Sequence, residues 1–438
     1  MGDTTKRSQG LSIVTAITFA VGTMVGAGIF VLSGLVVAAA GPSALYSYLI
    51  CAIIVSFSGL SYAALASIFP EDGGGYLYAE KILGKYPGFL TGWAMYISQP
   101  IVISFVLLGF GIYLNLLLGI SFDPRIWAAI ALILLTLLNT KGISEAGKFE
   151  VMVVFAKVAI LVVLSVVALT QFQPVSFSPL FPNGLGGFAQ GITMVFFAFM
   201  GFQVITMLGG EVKKSSRNVP LAILASIILV TILYAGVVIA LITAGLPSYG
   251  SESLFDAAEV FLGIYGGAIL AFGAVLSTLS SANALNAGAS RIVMEMASEK
   301  QVPGRFAKLN NGQPSNALFL GAVISMIFII VGNLDFILNL VNVAMLISMF
   351  FVNLSAAMLF RRRERIPTTK SRFKIPLGPT IPIIGAISCA IMMLTTSIDS
   401  IVLGLIALFL GTILYSLEDT DEGRKEVEKI REALGRSI

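Results

Sequence analysis

The chain has no histidine, two cysteines, two tryptophans and, over 438 residues, only 11% charged side chains. Each scarcity excludes something. Without histidine, the commonest metal ligand, proton relay and general base disappear together. Cys51 and Cys389 both sit inside apolar runs, so neither a disulfide framework nor a CxxC site is expected, and both read as small packing residues. Soluble domains carry about a quarter charged residues. A chain that is 57% hydrophobic, with a mean hydropathy of +0.94, cannot hide its apolar surface in one core, and lipid must cover the rest. No loop is long enough to fold as an enzyme domain, no cofactor is implied, and the placement of the charges says more than their net sum of +4. The polar residues 1–10 lead into a long apolar run without a small-residue cleavage site, which reads as a first span and not as a removable signal.

What is there is a series of apolar runs. A span needs about 20 residues to cross a core of about 30 Å. The runs place spans near 13–39, 43–69, 86–118, 125–139, 150–170 and 187–210, then near 220–244, 256–284, 316–332, 335–360, 380–397 and 399–416. An all-α polytopic membrane protein with twelve spans is therefore expected. With the N-terminus inside, every lysine and arginine falls on the inner side except Arg125, in an outer loop, and Lys157, within a span. Both termini are accordingly expected in the cytoplasm, with the protein in the cell membrane. The tail from Glu418 to Ile438 alternates acidic and basic residues at helical spacing, as a solvated helix or a frayed end does.

Irregular backbone at membrane depth survives only where it lines a cavity or is buried in protein. Two stretches invite a break. The first span carries Gly22, Gly26 and Gly28 near its middle, and the sixth carries Phe196-Phe197-Ala198-Phe199-Met200-Gly201-Phe202. Glycine in a span also serves close helix packing. The separation of the two stretches favours a break, because spans 1 and 6 correspond in a chain made of two five-span halves of opposite topology. Half-helix ends present N–H groups to an anion and C=O groups to a cation, and an α-amino acid carries both. Lys157, in Phe155-Ala156-Lys157-Val158, is the one lysine inside a span. Snorkelling to the interface is its ordinary fate, yet an intramembrane lysine is costly enough to suggest a function.

The run Gly26-Ala27-Gly28-Ile29-Phe30 resembles the first-span signature of the amino acid–polyamine–organocation superfamily. The resemblance continues through Gly41-Pro42, Leu60-Ser61-Tyr62-Ala63-Ala64-Leu65-Ala66, Pro70 and Gly73-Gly74-Gly75-Tyr76-Leu77-Tyr78. It extends over Phe197-Ala198-Phe199-Met200-Gly201-Phe202, Glu211-Val212-Lys213, Arg217-Asn218-Val219-Pro220, Ser290-Arg291, Val302-Pro303 and Phe373-Lys374-Ile375-Pro376. Departures include Ala64 where a glutamate is common and Gln203 where an acidic residue is frequent.

The resemblance implies a five-plus-five inverted repeat of the LeuT type, with spans 1 and 6 broken at mid-membrane and two extra C-terminal helices. Its parts are a cytoplasmic N-terminus at 1–12, repeats at 13–170 and 171–360, a basic cytoplasmic loop at 361–379, two last helices within 380–416 and a tail at 417–438. It implies a substrate carboxylate on the amides of Gly26, Ala27 and Gly28, and an amine facing carbonyls near Met24, Phe197 and Met200. Phe197 and Phe199 would line or gate the pocket, beside Ala198 and Gly201. It also implies that Lys157 stands where sodium-coupled relatives hold a cation, touching carbonyls of span 1 and a hydroxyl of span 8, Ser281 first and Ser277 second. The partners implied are an amino acid, a proton and the lipid bilayer. With no carboxylate nameable near the pocket, small or apolar neutral amino acids are favoured over cationic ones or polyamines. A proton-independent exchanger and a structural membrane subunit are the competing readings. An intramembrane enzyme would need a catalytic pair that the spans do not offer.

Overall fold

A computed structural model describes residues 10–141, 146–172, 177–310, 312–361 and 373–419. Most of the basic loop and nearly all of the tail lie outside the described residues. The described chain is helical throughout, with two isolated β-bridges and no strand among those residues. Helix is the expected answer of an apolar run in lipid, where each backbone group must find its partner within its own segment.

The first expected span divides into α1 (Ile13–Met24), α2 (Ala27–Phe30) and α3 (Leu32–Ala40), with α2 running into α3 through a helical Val31. Gly41, at φ 62°, turns the chain into α4 (Ala44–Ile68). A short helix that hydropathy does not announce, α5 (Gly74–Leu83), precedes α6 (Lys85–Leu118). Asp123 caps α7 (Pro124–Thr140), and its bonds to the Arg125 side chain hold its carboxyl below the usual carboxylate range. Then come α8 (Ala146–Thr170), α9 (Gly184–Ala198) and α10 (Val204–Met207), the last two being the broken sixth segment. The chain continues through α11 (Ser215–Ala244), α12 (Ser253–Ser298) and α13 (Ser315–Val331) to α14 (Leu334–Arg361), α15 (Thr380–Leu394) and α16 (Ile398–Asp419).

Among the described residues, seven stretches are long and apolar enough to cross a bilayer, and α1, α7, α9, α13 and α15 are shorter apolar helices. α12 is kinked near its start at Gly263 (φ 69°) and runs on to Ser298, well past the apolar stretch expected at 256–284. Its last turns are held by packing and hydrogen bonds after the hydropathy has fallen, so its end is not where an apolar count puts it.

The polarity of α8 is inverted relative to a soluble helix. Met152, Phe155, Val163, Val166 and Leu169 are exposed, while Lys157, Leu161, Leu164 and Ala168 are buried on the opposite face. That pattern suits a lipid-facing stripe with the charge turned inward. α8 packs on α1, α11 and α12, which brings Lys157 to the first break.

Candidate functional site

The break after α1 can be followed bond by bond. In a regular helix the Gly26 amide would bond to Gly22 O and the Ile29 amide to Val25 O. Instead Gly26 N donates to Met24 O (2.9 Å) and Ile29 N to Gly26 O (3.2 Å). The carbonyls of Gly22 and Val25 thereby lose their helical donors, and a buried carbonyl needs another partner. Lys157 Nζ donates to Gly22 O at 2.7 Å, and Ser281 Oγ reaches the same oxygen at 3.2 Å. Ser277 Oγ donates to Val25 O at 2.6 Å. Three helices, α1, α8 and α12, therefore meet at carbonyls that the break sets free. Lys157 is 1% exposed and directed into the protein, not snorkelling outward.

The second break faces the first. Thr23 Oγ1 donates to Gly201 O across the gap at 3.0 Å. Gly201 has φ 126°, and a Cβ there would lie 2.8 Å from the Thr23 carbonyl carbon. A Cβ on Gly28 would lie 2.8 Å from Ala198 Cα, and one on Gly26 would lie 2.9 Å from Ser281 Oγ. At Gly28 and Gly201 the two broken helices approach backbone to backbone, and at Gly26 the Ser281 side chain of α12 takes the space a Cβ would need.

Sequence reasoning missed Tyr234. From the middle of α11 its hydroxyl lies 2.7 Å from Met24 O and 3.0 Å from Ala198 O, one carbonyl at each break. Its ring packs edge-on against Tyr48 (5.7 Å) and Phe199 (5.4 Å). A lone tyrosine inside an apolar run was the available signal, since a buried phenol needs a partner. Tyr234→Phe keeps the ring and removes the donor. The expected result is a loss of about 1–3 kcal/mol, seen as a lower midpoint in detergent thermal unfolding, together with slower uptake. An unchanged midpoint would show the hydroxyl to be dispensable.

Between the breaks lies a cavity of about 20 Å³, lined by Thr23, Met24, Gly26, Ala27, Gly28, Gln99, Val102, Val106, Phe197, Met200, Gly201, Gln203, Leu285 and Met345. That volume holds about one water, so an amino acid enters only as the lining side chains move. Most of the expected binding residues line it, but Ala198 and Phe199 do not. Phe199 stands about 200° around the helix from Phe197 and packs with Tyr48 and Tyr234, while Ala198 backs Gly28. Phe197 meets Phe105 at 4.6 Å. The amide of Gly26 and the carbonyl of Met24 are engaged with each other, leaving Ala27 and Gly28 as the leading amides of α2. Lys157, Ser281 and Ser277 sit behind the break and not in the cavity wall.

Away from the cavity, the chain near residue 211 is tied by several bonds. Arg291 pairs with Glu211 (2.8 Å), Gly210 N donates to Asp72 Oδ1 (2.8 Å), and Leu11 forms a bridge with Val212. Gln301 Nε2 donates to Glu80 (3.1 Å), whose carboxyl is held above the usual range by burial first and by the neighbouring Glu299 second.

A helical multi-pass membrane protein in which two interrupted helices meet around an uncharged cavity is built as a carrier of small solutes. The chain belongs to the amino acid permease family, whose model matches residues 11–414. Its relatives in Bacillus subtilis include a branched-chain amino acid permease, BcaP, 28% identical, and a methylthioribose transporter, 26% identical. Each alignment covers 91% of this chain and 90% of the relative. The serine/threonine exchanger SteT of the same organism is 26% identical over 86% of this chain and 88% of its own length.

Proposed function

We propose that this chain is a proton-coupled symporter of neutral amino acids working by alternating access. The observation that carries the reading is the bond from Lys157 Nζ to Gly22 O, a carbonyl released by the first break. The proposed frame has twelve spans, as repeats at 13–170 and 171–360 plus two further helices, with both termini on the cytoplasmic side of the cell membrane. The substrate carboxylate sits on the leading amides of α2, around Ala27 and Gly28, with Gly26 at the turn. The amine faces the carbonyl edge at Phe197 and Met200, and reaches Met24 O only by displacing the Tyr234 hydroxyl.

Desolvation opposes the charged ammonium, and the Gly22 carbonyl opposes its loss. Protonated Lys157 ties α1 to α8, with Ser281 bringing α12 to the same atom and Ser277 holding the next freed carbonyl. Deprotonation weakens that tie and lets α1 move with its substrate. The charge state is thereby coupled to which side the cavity opens.

Proteoliposomes with imposed gradients test this. Inward proton gradients are expected to drive accumulation of a neutral amino acid at least tenfold above equilibration, with sodium gradients giving none. Accumulation that follows sodium and ignores pH would sink the reading. Counterflow without any net accumulation would identify an exchanger instead.

A further inference from the structure

Two glutamines in the cavity wall have ends that nothing among the described residues satisfies. Gln99 is 1% exposed, and neither its Oε1 nor its Nε2 has a partner. Gln203 is also 1% exposed, and its Nε2 has none. Gln203 is held in one orientation. The Gly201 amide donates to its Oε1 at 3.0 Å, and because a backbone N–H can only donate, the free end is the –NH2 donor. Gln99 precedes Pro100, which cannot donate to the carbonyl of Tyr96, so α6 is loosened where the side chain leaves it. The Pro100 carbonyl is taken by Ser325 Oγ at 2.8 Å.

Buried polar ends without partners are rare in native proteins and costly, and each asks for an explanation. Here both side chains border the same cavity. Gln203 offers a donor, and Gln99 offers a donor and an acceptor. No charged side chain lines the space, so nothing there balances an ammonium, guanidinium or carboxylate on a substrate side chain. The group that meets this set is neutral and both donates and accepts: a hydroxyl or a primary amide.

We infer that Gln99 and Gln203 select neutral amino acids with polar side chains, of the serine, threonine, asparagine and glutamine class, over apolar ones of the same shape. The inference rests on the amino acid reading above and narrows its substrate class. A substrate hydroxyl or amide makes bonds to the free ends, whereas a methyl group fills the same space and leaves them unmade. A site built to hydrogen-bond its substrate rejects the analogue that lacks the group far more strongly than an apolar pocket rejects a size change.

Isosteric pairs read this directly on the unmodified protein. Thermal-shift titrations in detergent and competition for uptake in proteoliposomes would compare threonine with valine and asparagine with leucine. Threonine is expected to half-saturate at a concentration at least tenfold below valine, with asparagine ahead of leucine by a similar factor. Gln99→Met and Gln203→Met should each bring the ratios to within about threefold of one. Parity or a preference for valine in the unmodified protein would overturn the inference and leave amino acid transport standing. Ratios that persist in both variants would also overturn it. Failure of every amino acid to stabilise the protein or be taken up would overturn both readings.

Discussion

Replacing Lys157 with methionine is expected to lower proton-driven uptake at least a hundredfold while the protein still folds. Methionine nearly matches the length and volume of the lysine stem and adds no charge to a buried site, so the α1–α8–α12 packing survives. Exchanging a buried charge for an apolar side chain of similar size is often close to neutral for stability. Gly22 O keeps Ser281 Oγ as a donor at 3.2 Å and is not orphaned. What disappears is the one ammonium on the released carbonyl. Ser281→Ala makes the complementary test. It leaves the 2.7 Å lysine bond in place, and its effect on uptake is expected to be several-fold only. The decisive measurement is uptake with and without an imposed pH gradient in vesicles carrying equal amounts of folded protein. A methionine variant that still concentrates substrate along the gradient would remove Lys157 from the mechanism.

Gly201→Ala should be the most damaging methyl group that can be added at the breaks. At φ 126° any side chain is strained, at a cost of about 1–3 kcal/mol. The new Cβ would also lie 2.8 Å from the Thr23 carbonyl carbon and 2.9 Å from Met24 N, backbone atoms that cannot swing away. Overpacking of this kind costs about 1–3 kcal/mol more. The Thr23–Gly201 bond across the gap is displaced as well. The comparison is Gly84→Ala, where φ is 113° but nothing lies within 4 Å of the added atom. Both substitutions put a side chain at a similar positive φ, so the difference in their unfolding midpoints reads chiefly the contact between the breaks. Gly201→Ala is expected to fall well below Gly84→Ala and to lose the stabilisation conferred by substrate. Equal midpoints would mean that the two broken helices do not touch as described.

The helices were largely legible because hydropathy and helix formation have the same cause in lipid. They diverged where that link fails. α5 sits in a glycine-rich, amphipathic stretch that a search for apolar runs passes over, and α12 continues past its apolar run on packing and hydrogen bonds. Lys157 was legible because a lysine inside an apolar run has a cost that stands out against its neighbours. The serines that meet it came from resemblance, since a serine in a span ordinarily bonds to its own helix and gives no sign of doing otherwise. Tyr234, Gln99 and Gln203 gave less. Single neutral polar residues are common in spans, and only the geometry tells a phenol bridging two breaks, or an amide with no partner, from one that packs quietly. Phe199 shows the converse. Its place in the motif drew it into the pocket, but the turn of the helix carries it to the far side with Tyr48 and Tyr234.

Three of the side chains around the cavity are methionines, Met24, Met200 and Met345. An unbranched thioether has three rotatable bonds and a polarizable sulfur, and it fills irregular space at little cost. Walls of this kind retreat by changing rotamer, so the cavity can expand without first moving a helix. They also settle around occupants of different length with nearly equal ease. Such a carrier measures its cargo poorly with a ruler, and related solutes of unequal bulk will compete for it unless something other than size tells them apart.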